Sequence, residues 1–227
     1  MLCWVDVEST GLDESQGHLL EVAMVVTDDN LKETTYASVI IKPQAELELL
    51  KSQIDPVVKE MHTKNGLFDD IEKFGWSMEE ATARMIAFVK EAFASVPDVP
   101  SSTCECGKRK SWHVSQGGEG ECVFGAVDGG FCAKLVPAVS MTPLAGSTVG
   151  FDRRWLRHHM PALEAMFLHR SVDVSSFGEM ASRWAPEVYE NRPKSTDTHR
   201  ALADARGSIE LLKYYREKGF VRGSREA

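Results

Sequence analysis

Residues 2–41 read LCWVDVESTGLDESQGHLLEVAMVVTDDNLKETTYASVII. Three apolar runs stand out in that stretch, at 2–7, 18–27 and 35–41, with turn residues at Gly11, Asp13, Gly17 and 28–30 between them. Runs of this length, rich in Val and Ile and bounded by Gly and Asp, read as strands. The connections are too short for crossovers, so the spacing predicts a three-stranded antiparallel meander. Downstream the rhythm changes. Residues 77–95, SMEEATARMIAFVKEAFAS, open with Ser77 and Glu80 at capping-box spacing, and Ala81, Met85, Phe88, Val89 and Ala92 recur on one helical face. Residues 143–151, PLAGSTVGF, read as a strand and turn leading into a helix, DRRWLRHHM, that Pro161 ends. A short strand at 171–174 follows, then a helix capped by Ser176 with Glu179. The last helix covers 198–218, with Ala201, Ala205, Ile209, Leu212 and Tyr215 facing a core. Strands first, then strands alternating with helices, give the α/β class: a mixed sheet of an antiparallel meander plus parallel strands, flanked by helices.

The chain has 227 residues, 43% of them hydrophobic and 26% charged, and a net charge of −8. That length suits one large domain, or one domain with an insertion. The acidic balance counts against a protein that grips long nucleic acid through many phosphate contacts, but not against a short substrate held at a metal site. The opening MLCWVDVEST offers no basic leader, and no stretch approaches the roughly 18 uninterrupted apolar residues of a membrane span. Five cysteines are an odd number for a disulfide framework, so a reducing, cytoplasmic setting is expected, without membrane contact.

The chemistry concentrates in acids. Asp6 and Glu8 lie two apart on the first strand, so their side chains share a face. Two carboxylates side by side repel and are costly to desolvate, a cost that a hard divalent cation such as Mg²⁺ or Mn²⁺ removes. The alternative is a strand end with two solvated acids. Asp152 follows Gly150-Phe151 at a strand-to-helix junction, and Asp204 lies in the last helix. His199 precedes Asp204 by five residues, about 140° away on an ideal helix. For both to reach one site, His199 must stand at the helix start or just before it. An imidazole there suits proton transfer near neutral pH, the alternative being a capping or surface histidine.

Three motifs, WVDVESTGLD, GSTVGFDRRWL and HRALAD, occur in this order. They resemble those of the DEDDh 3′-to-5′ exonucleases, and among them most closely the oligoribonucleases. The resemblance spans roughly residues 1–96 and 142–220. It implies a ribonuclease H-like fold and phosphodiester hydrolysis to 5′-mononucleotides. Two divalent cations, Mg²⁺ or Mn²⁺, would be held by Asp6, Glu8, Asp152 and Asp204, and His199 would be the general base. It further implies short single-stranded RNA as substrate, down to dinucleotides. Leu12 would wedge against the bases, His62 would lie beside the scissile end, and Thr148, Arg170 and Ser175 would cap a terminal 5′ phosphate. A homodimer is implied too, in which residues near His169 complete the neighbour's site.

The sequence departs from the family at three places. Ile54-Asp55-Pro56-Val57 stands where a Trp often follows an acidic pair, His169 replaces a characteristic Tyr, and Thr148 replaces the usual Ser. The alternative within the same chemistry is an exonuclease trimming or proofreading longer single-stranded DNA or RNA 3′ ends, for which a basic channel or aromatic platform is expected. A non-catalytic module would be expected to have lost one of the carboxylates.

Residues 98–140 break the pattern: they are glycine-rich and hold Cys104, Cys106, Cys122 and Cys132. They read as an insertion in a single exonuclease domain covering 1–220, with 221–227 as a flexible tail. The four cysteines, with His113 nearby, are candidate structural zinc ligands, although the spacing lacks paired C-x₂-C units; the alternative is a surface loop with free thiols. Elsewhere Trp155, Leu156 and Trp184 read as core, Met85 and Met166 as core fillers, His158-His159 as a solvated helix end, and 69–73 as a solvated loop.

Overall fold

The computed structural model describes residues 1–94, 142–194 and 198–220. By its internal contacts the chain divides into one unit made of Met1–Phe88 with Thr142–Ala227 and a second, Val89–Met141. Cys104, Cys106, Cys122 and Cys132, and the tail at 221–227, lie outside the described residues.

The N-terminal meander forms as expected: β1 (Leu2–Ser9), β2 (Leu19–Thr27) and β3 (Glu33–Ile40). Two short parallel strands, β4 (Leu144–Gly146) and β5 (Ser171–Asp173), extend it into a five-stranded mixed sheet of order β3-β2-β1-β4-β5. Every residue of β2 is buried, the behaviour of a strand covered on both faces, whereas β3 alternates like an edge strand. In register, Asp6 lies opposite Ala23 and Glu8 opposite Glu21, while Cys3 of β1 pairs with Leu144 of β4.

Three helices between β3 and the next long helix, α1 (Leu47–Gln53), α2 (Pro56–Lys64) and α3 (Leu67–Phe74), cover one face through Leu50, Leu67, Phe68 and Ile71 packed on Leu20. The stretch at 69–73 is therefore a helix, not a solvated loop. Asp69 and Glu72 face water, but Ile71 is buried, and eight residues are too few for helical periodicity to declare itself. The capping box at Ser77 and Glu80 forms, with Ser77 Oγ donating to Glu80 at 2.7 Å, and opens α4 (Met78–Ala92).

Beyond β4 come α5 (Val149–His159), the short α6 (Pro161–Glu164), α7 (Val174–Trp184) and α8 (Pro186–Glu190). Asp173, not Ser176, caps α7, its carboxylate accepting from the Ser175 amide at 2.9 Å. Trp184 is 73% exposed rather than core, because burial along α7 ends at Ala181, one turn earlier. The last helix, α9 (Ala201–Tyr215), lies across the other sheet face. Its Ala201, Ala205, Ile209 and Leu212 recur on one side, and all but Ala201 join a core with Trp4, Val25, Ala145 and Val174. Alanines at 201 and 205 let the helix start approach the sheet closely, at the end of β1 that carries Asp6 and Glu8.

Candidate active site

Trp4, Asp6 and Glu8 share the face of β1 that α9 covers. Trp4 anchors the apolar layer, and the two acids extend it toward the strand's carboxyl end, where Asp204 arrives on the first turn of α9. Carboxylate oxygens of Asp6, Glu8 and Asp204 lie within 4.8 Å of one another. Asp152, buried in the first turn of α5, stands outside that trio, its Oδ1 accepting from the Val7 amide of β1 at 2.9 Å. Burial, then the charges of Asp152, Glu8, Asp204 and Glu21, hold the Asp6 carboxyl well above the usual carboxylate range. Burial and neighbouring Asp204 and Glu21 push Glu8 up to about 8, with Arg200 opposing. Burial raises Asp152 to about 7 despite the Val7 amide. Acids this close and this dry cannot all ionise by themselves. Their hard oxygen donors fit divalent cations, which would remove that repulsion.

His199 stands two residues ahead of α9 with φ at 46°, a left-handed conformation rare for any residue but glycine. Its carbonyl accepts a hydrogen bond from Asn65 Nδ2, and Thr198 Oγ1 donates to Asp204 at 3.4 Å. The helix thus begins where the histidine must sit to share a site with Asp204.

A fifth carboxylate, which the sequence reading passed over, lies next to Glu8. Glu21 is buried, and it accepts from Arg200 Nε at 3.0 Å and Nη2 at 3.3 Å, from the Ala201 amide at 3.2 Å and from Ser38 Oγ at 3.2 Å. Arg200 Nη1 reaches Asp70 of α3 at 2.8 Å. With its oxygens so occupied, Glu21 ties α9 to the sheet instead of joining the trio. The available signal was one acid inside the otherwise apolar run LLEVAMVVT.

His62 is fully buried on α2. Its Nε2 lies 3.0 Å from the Ser9 carbonyl and therefore carries the proton, Nδ1 has no partner among the described residues, and Phe68 meets the ring edge-on at 5.7 Å. Burial lowers its pKa, favouring the uncharged ring. Leu12, by contrast, is 83% exposed in the loop joining β1 to β2. That loop is pinned by Thr10, whose amide donates to the His18 carbonyl at 3.0 Å, and by Gly17, where a Cβ would meet Trp155 at 2.6 Å and the Asp13 carbonyl at 3.0 Å. Gly17→Ala should therefore cost about 1–3 kcal/mol of stability, read from the midpoint of a urea melt. An unchanged midpoint would show that the loop yields freely.

Of the three residues expected to cap a 5′ phosphate, Thr148 and Ser175 meet, whereas Arg170 lies at the other end of β5. Thr148, at φ 53° ahead of α5, donates its amide to Asp173 at 3.0 Å and to Ser175 Oγ at 2.9 Å, and the Thr148 and Ser175 hydroxyls are 3.0 Å apart. Arg170 and His169, both exposed, precede β5 instead. Because β5 runs parallel to β4, with Gly146 opposite Asp173, Arg170 lies at the far end of the strand. That is about 10 Å from Asp173 at the usual rise per residue.

A family model described as Exonuclease matches residues 130–212. An oligoribonuclease of Streptomyces avermitilis is 36% identical, covering 97% of this chain and 87% of that protein. Those of Leifsonia xyli subsp. xyli and Azoarcus sp. are each 34% identical, over 97% and 95% of this chain and 84% and 93% of theirs. The chain belongs to the oligoribonuclease family. It is accordingly a metal-dependent 3′-to-5′ exoribonuclease, a phosphodiester hydrolase of a family that works through two metals and a histidine base. Solved structures of exonuclease I share the ribonuclease H-like fold, one with a TM-score of 0.57 at 13% identity. Another, from Methylocaldum szegediense, has a TM-score of 0.51 at 17% identity. This chain spans only 40% of the length of each.

Proposed function

We propose that this exoribonuclease acts on short single-stranded RNA, down to dinucleotides, with Mg²⁺ or Mn²⁺ held by Asp6, Glu8, Asp152 and Asp204. The observation that carries the assignment is the close meeting of Asp6, Glu8 and Asp204, with His199 immediately ahead of the helix that brings Asp204. Two cations held by Asp6, Glu8, Asp152 and Asp204 would supply activation of the attacking water and charge stabilisation at the attacking and leaving oxygens. His199 takes the proton from that water as its oxygen bonds to the terminal phosphorus. The bond from that phosphorus to the 3′ oxygen of the preceding nucleotide breaks, that oxygen takes a proton from solvent water, and a 5′-mononucleotide is released. Leu12, exposed at the loop tip, is the wedge against the bases, and buried His62 backs the wall at Ser9 beside the scissile end.

Thr148 and Ser175 form one half of a cap for the terminal 5′ phosphate. Arg170, with His169 beside it, supplies the other half from a second copy of the chain in a homodimer, its guanidinium offering a fork to the phosphate. A net charge of −8 favours a substrate held by one cap and two cations over one lying along a basic groove. In turnover measured on 5′-phosphorylated RNAs of two to about ten nucleotides, the dimer should be cleaved fastest by a wide margin. A flat profile would move the enzyme to the trimming of longer 3′ ends.

The clustered Cys104, Cys106, Cys122 and Cys132 are proposed to hold a structural zinc ion. Protein purified without chelators should then carry one zinc per chain. Zinc near zero, with those thiols titratable, would make them free cysteines of a reducing, cytoplasmic protein. No helix among the described residues is long and apolar enough to cross a membrane.

A further inference from the structure

His199 is a non-glycine residue held in the left-handed region, with φ at 46°. Such a conformation persists only where its surroundings over-determine it. Here two anchors flank it. On one side Asn65, at the corner between α2 and α3, donates Nδ2 to the His199 carbonyl while its Oδ1 accepts from the Leu67 amide, the first of α3, at 3.0 Å. On the other side the next residue, Arg200, is forked onto buried Glu21 of β2 and onto Asp70 of α3. The peptide between His199 and Arg200 is thus gripped from both ends, and the cleft beside it, about 420 Å³, is lined by Met61, Lys64, Asn65, Thr198, His199 and Arg200.

We infer that Asn65 and Arg200 are positioning residues for His199, fixing through its backbone where the imidazole meets the attacking water. The inference rests on His199 being the general base. Neither residue belongs to the carboxylate trio, so their loss should affect proton transfer more than substrate binding. A small displacement of a catalytic group is costly: an error near 1 Å can cost about a hundredfold in rate.

Asn65→Asp separates positioning from folding, because aspartate still accepts from the Leu67 amide but cannot donate to the His199 carbonyl. It also brings a negative charge. Arg200→Lys is the second arm, keeping the charge and losing the fork. Each should lower kcat on a 5′-phosphorylated dinucleotide about tenfold or more, with KM within about twofold and an unchanged Mn²⁺-induced thermal shift. His199→Ala alone should lower kcat by about a hundredfold or more, and on that background neither variant should cost anything further. If His199→Ala is nearly as active as the wild type, the reading of the base fails. If His199→Ala is impaired but the two variants leave kcat unchanged, or cost equally on both backgrounds, the base stands and the positioning inference is overturned.

Discussion

Asp6→Asn should reduce divalent-cation-dependent hydrolysis about a thousandfold or more, and should at the same time make the metal-free protein harder to unfold. The first effect follows from its place in the trio with Glu8 and Asp204. The second follows from what that place costs. Asp6, Glu8 and Asp152 all have carboxyls raised above their unfolded values, Glu8 to about 8 and Asp152 to about 7. The folded chain therefore binds more protons than the unfolded one over that range. The corresponding stability is fully present below the unfolded carboxylate values near pH 4 and is lost as the pH rises through the folded ones.

Metal-free wild type should consequently melt at lower temperature as the pH climbs from about 4 to 8, and Mn²⁺ added at the upper end should restore it by mass action. Asparagine at position 6 removes one of the repelling charges. It should flatten that slope and raise metal-free stability by about 1 kcal/mol near pH 8, in exchange for activity. Thermal melts across pH, with chelator or Mn²⁺, test this together with turnover. A variant that keeps a tenth of wild-type activity, or melts lower than wild type without metal, would remove Asp6 from the metal site.

The acids were legible in sequence because period-2 spacing fixes that Asp6 and Glu8 share a face, and the helical run after His199 fixes how far Asp204 lies from it. Their partners were not legible. That Glu21 is a tie and not a ligand depends on the cross-strand register that sets it opposite Glu8, and on Arg200 arriving from the start of α9. No local pattern in LLEVAMVVT carries that information. Asn65 is hidden for the same reason, since its link to His199 spans 134 positions. The short helices between β3 and α4 escaped because each shows one or two turns of a pattern whose meaning comes from Leu20 beneath it. The phosphate cap is the sharpest case: Thr148, Arg170 and Ser175 were grouped by resemblance, yet the parallel register of β4 and β5 puts Arg170 at the opposite strand end from the other two.

That separation yields the second large effect. If Arg170 acts in the neighbour's site, two crippled chains should repair each other. Asp204→Ala homodimers lack one of the proposed metal carboxylates in both sites and should be inactive, about a thousandfold down. Arg170→Ala homodimers keep the carboxylates but lose the fork at the 5′ phosphate, and should fail chiefly on dinucleotides. In a mixed dimer, the site with an intact Asp204 belongs to the Arg170→Ala chain and receives its arginine from the Asp204→Ala chain, so it is whole. The other site carries both defects. Equal amounts, dissociated and reassociated at random, make half of the dimers mixed, so dinucleotide turnover should recover to about a quarter of the wild-type value per chain. If Arg170 served its own chain, every mixed dimer would hold one site without the carboxylate and one without the arginine, and mixing would add nothing. Recovery on dinucleotides thus assigns the arginine to the partner copy. Its absence, in a preparation shown to be dimeric and exchanged, would return Arg170 to its own chain's site, and an Arg170→Ala homodimer as active on dinucleotides as the wild type would leave Thr148 and Ser175 as the whole of the cap.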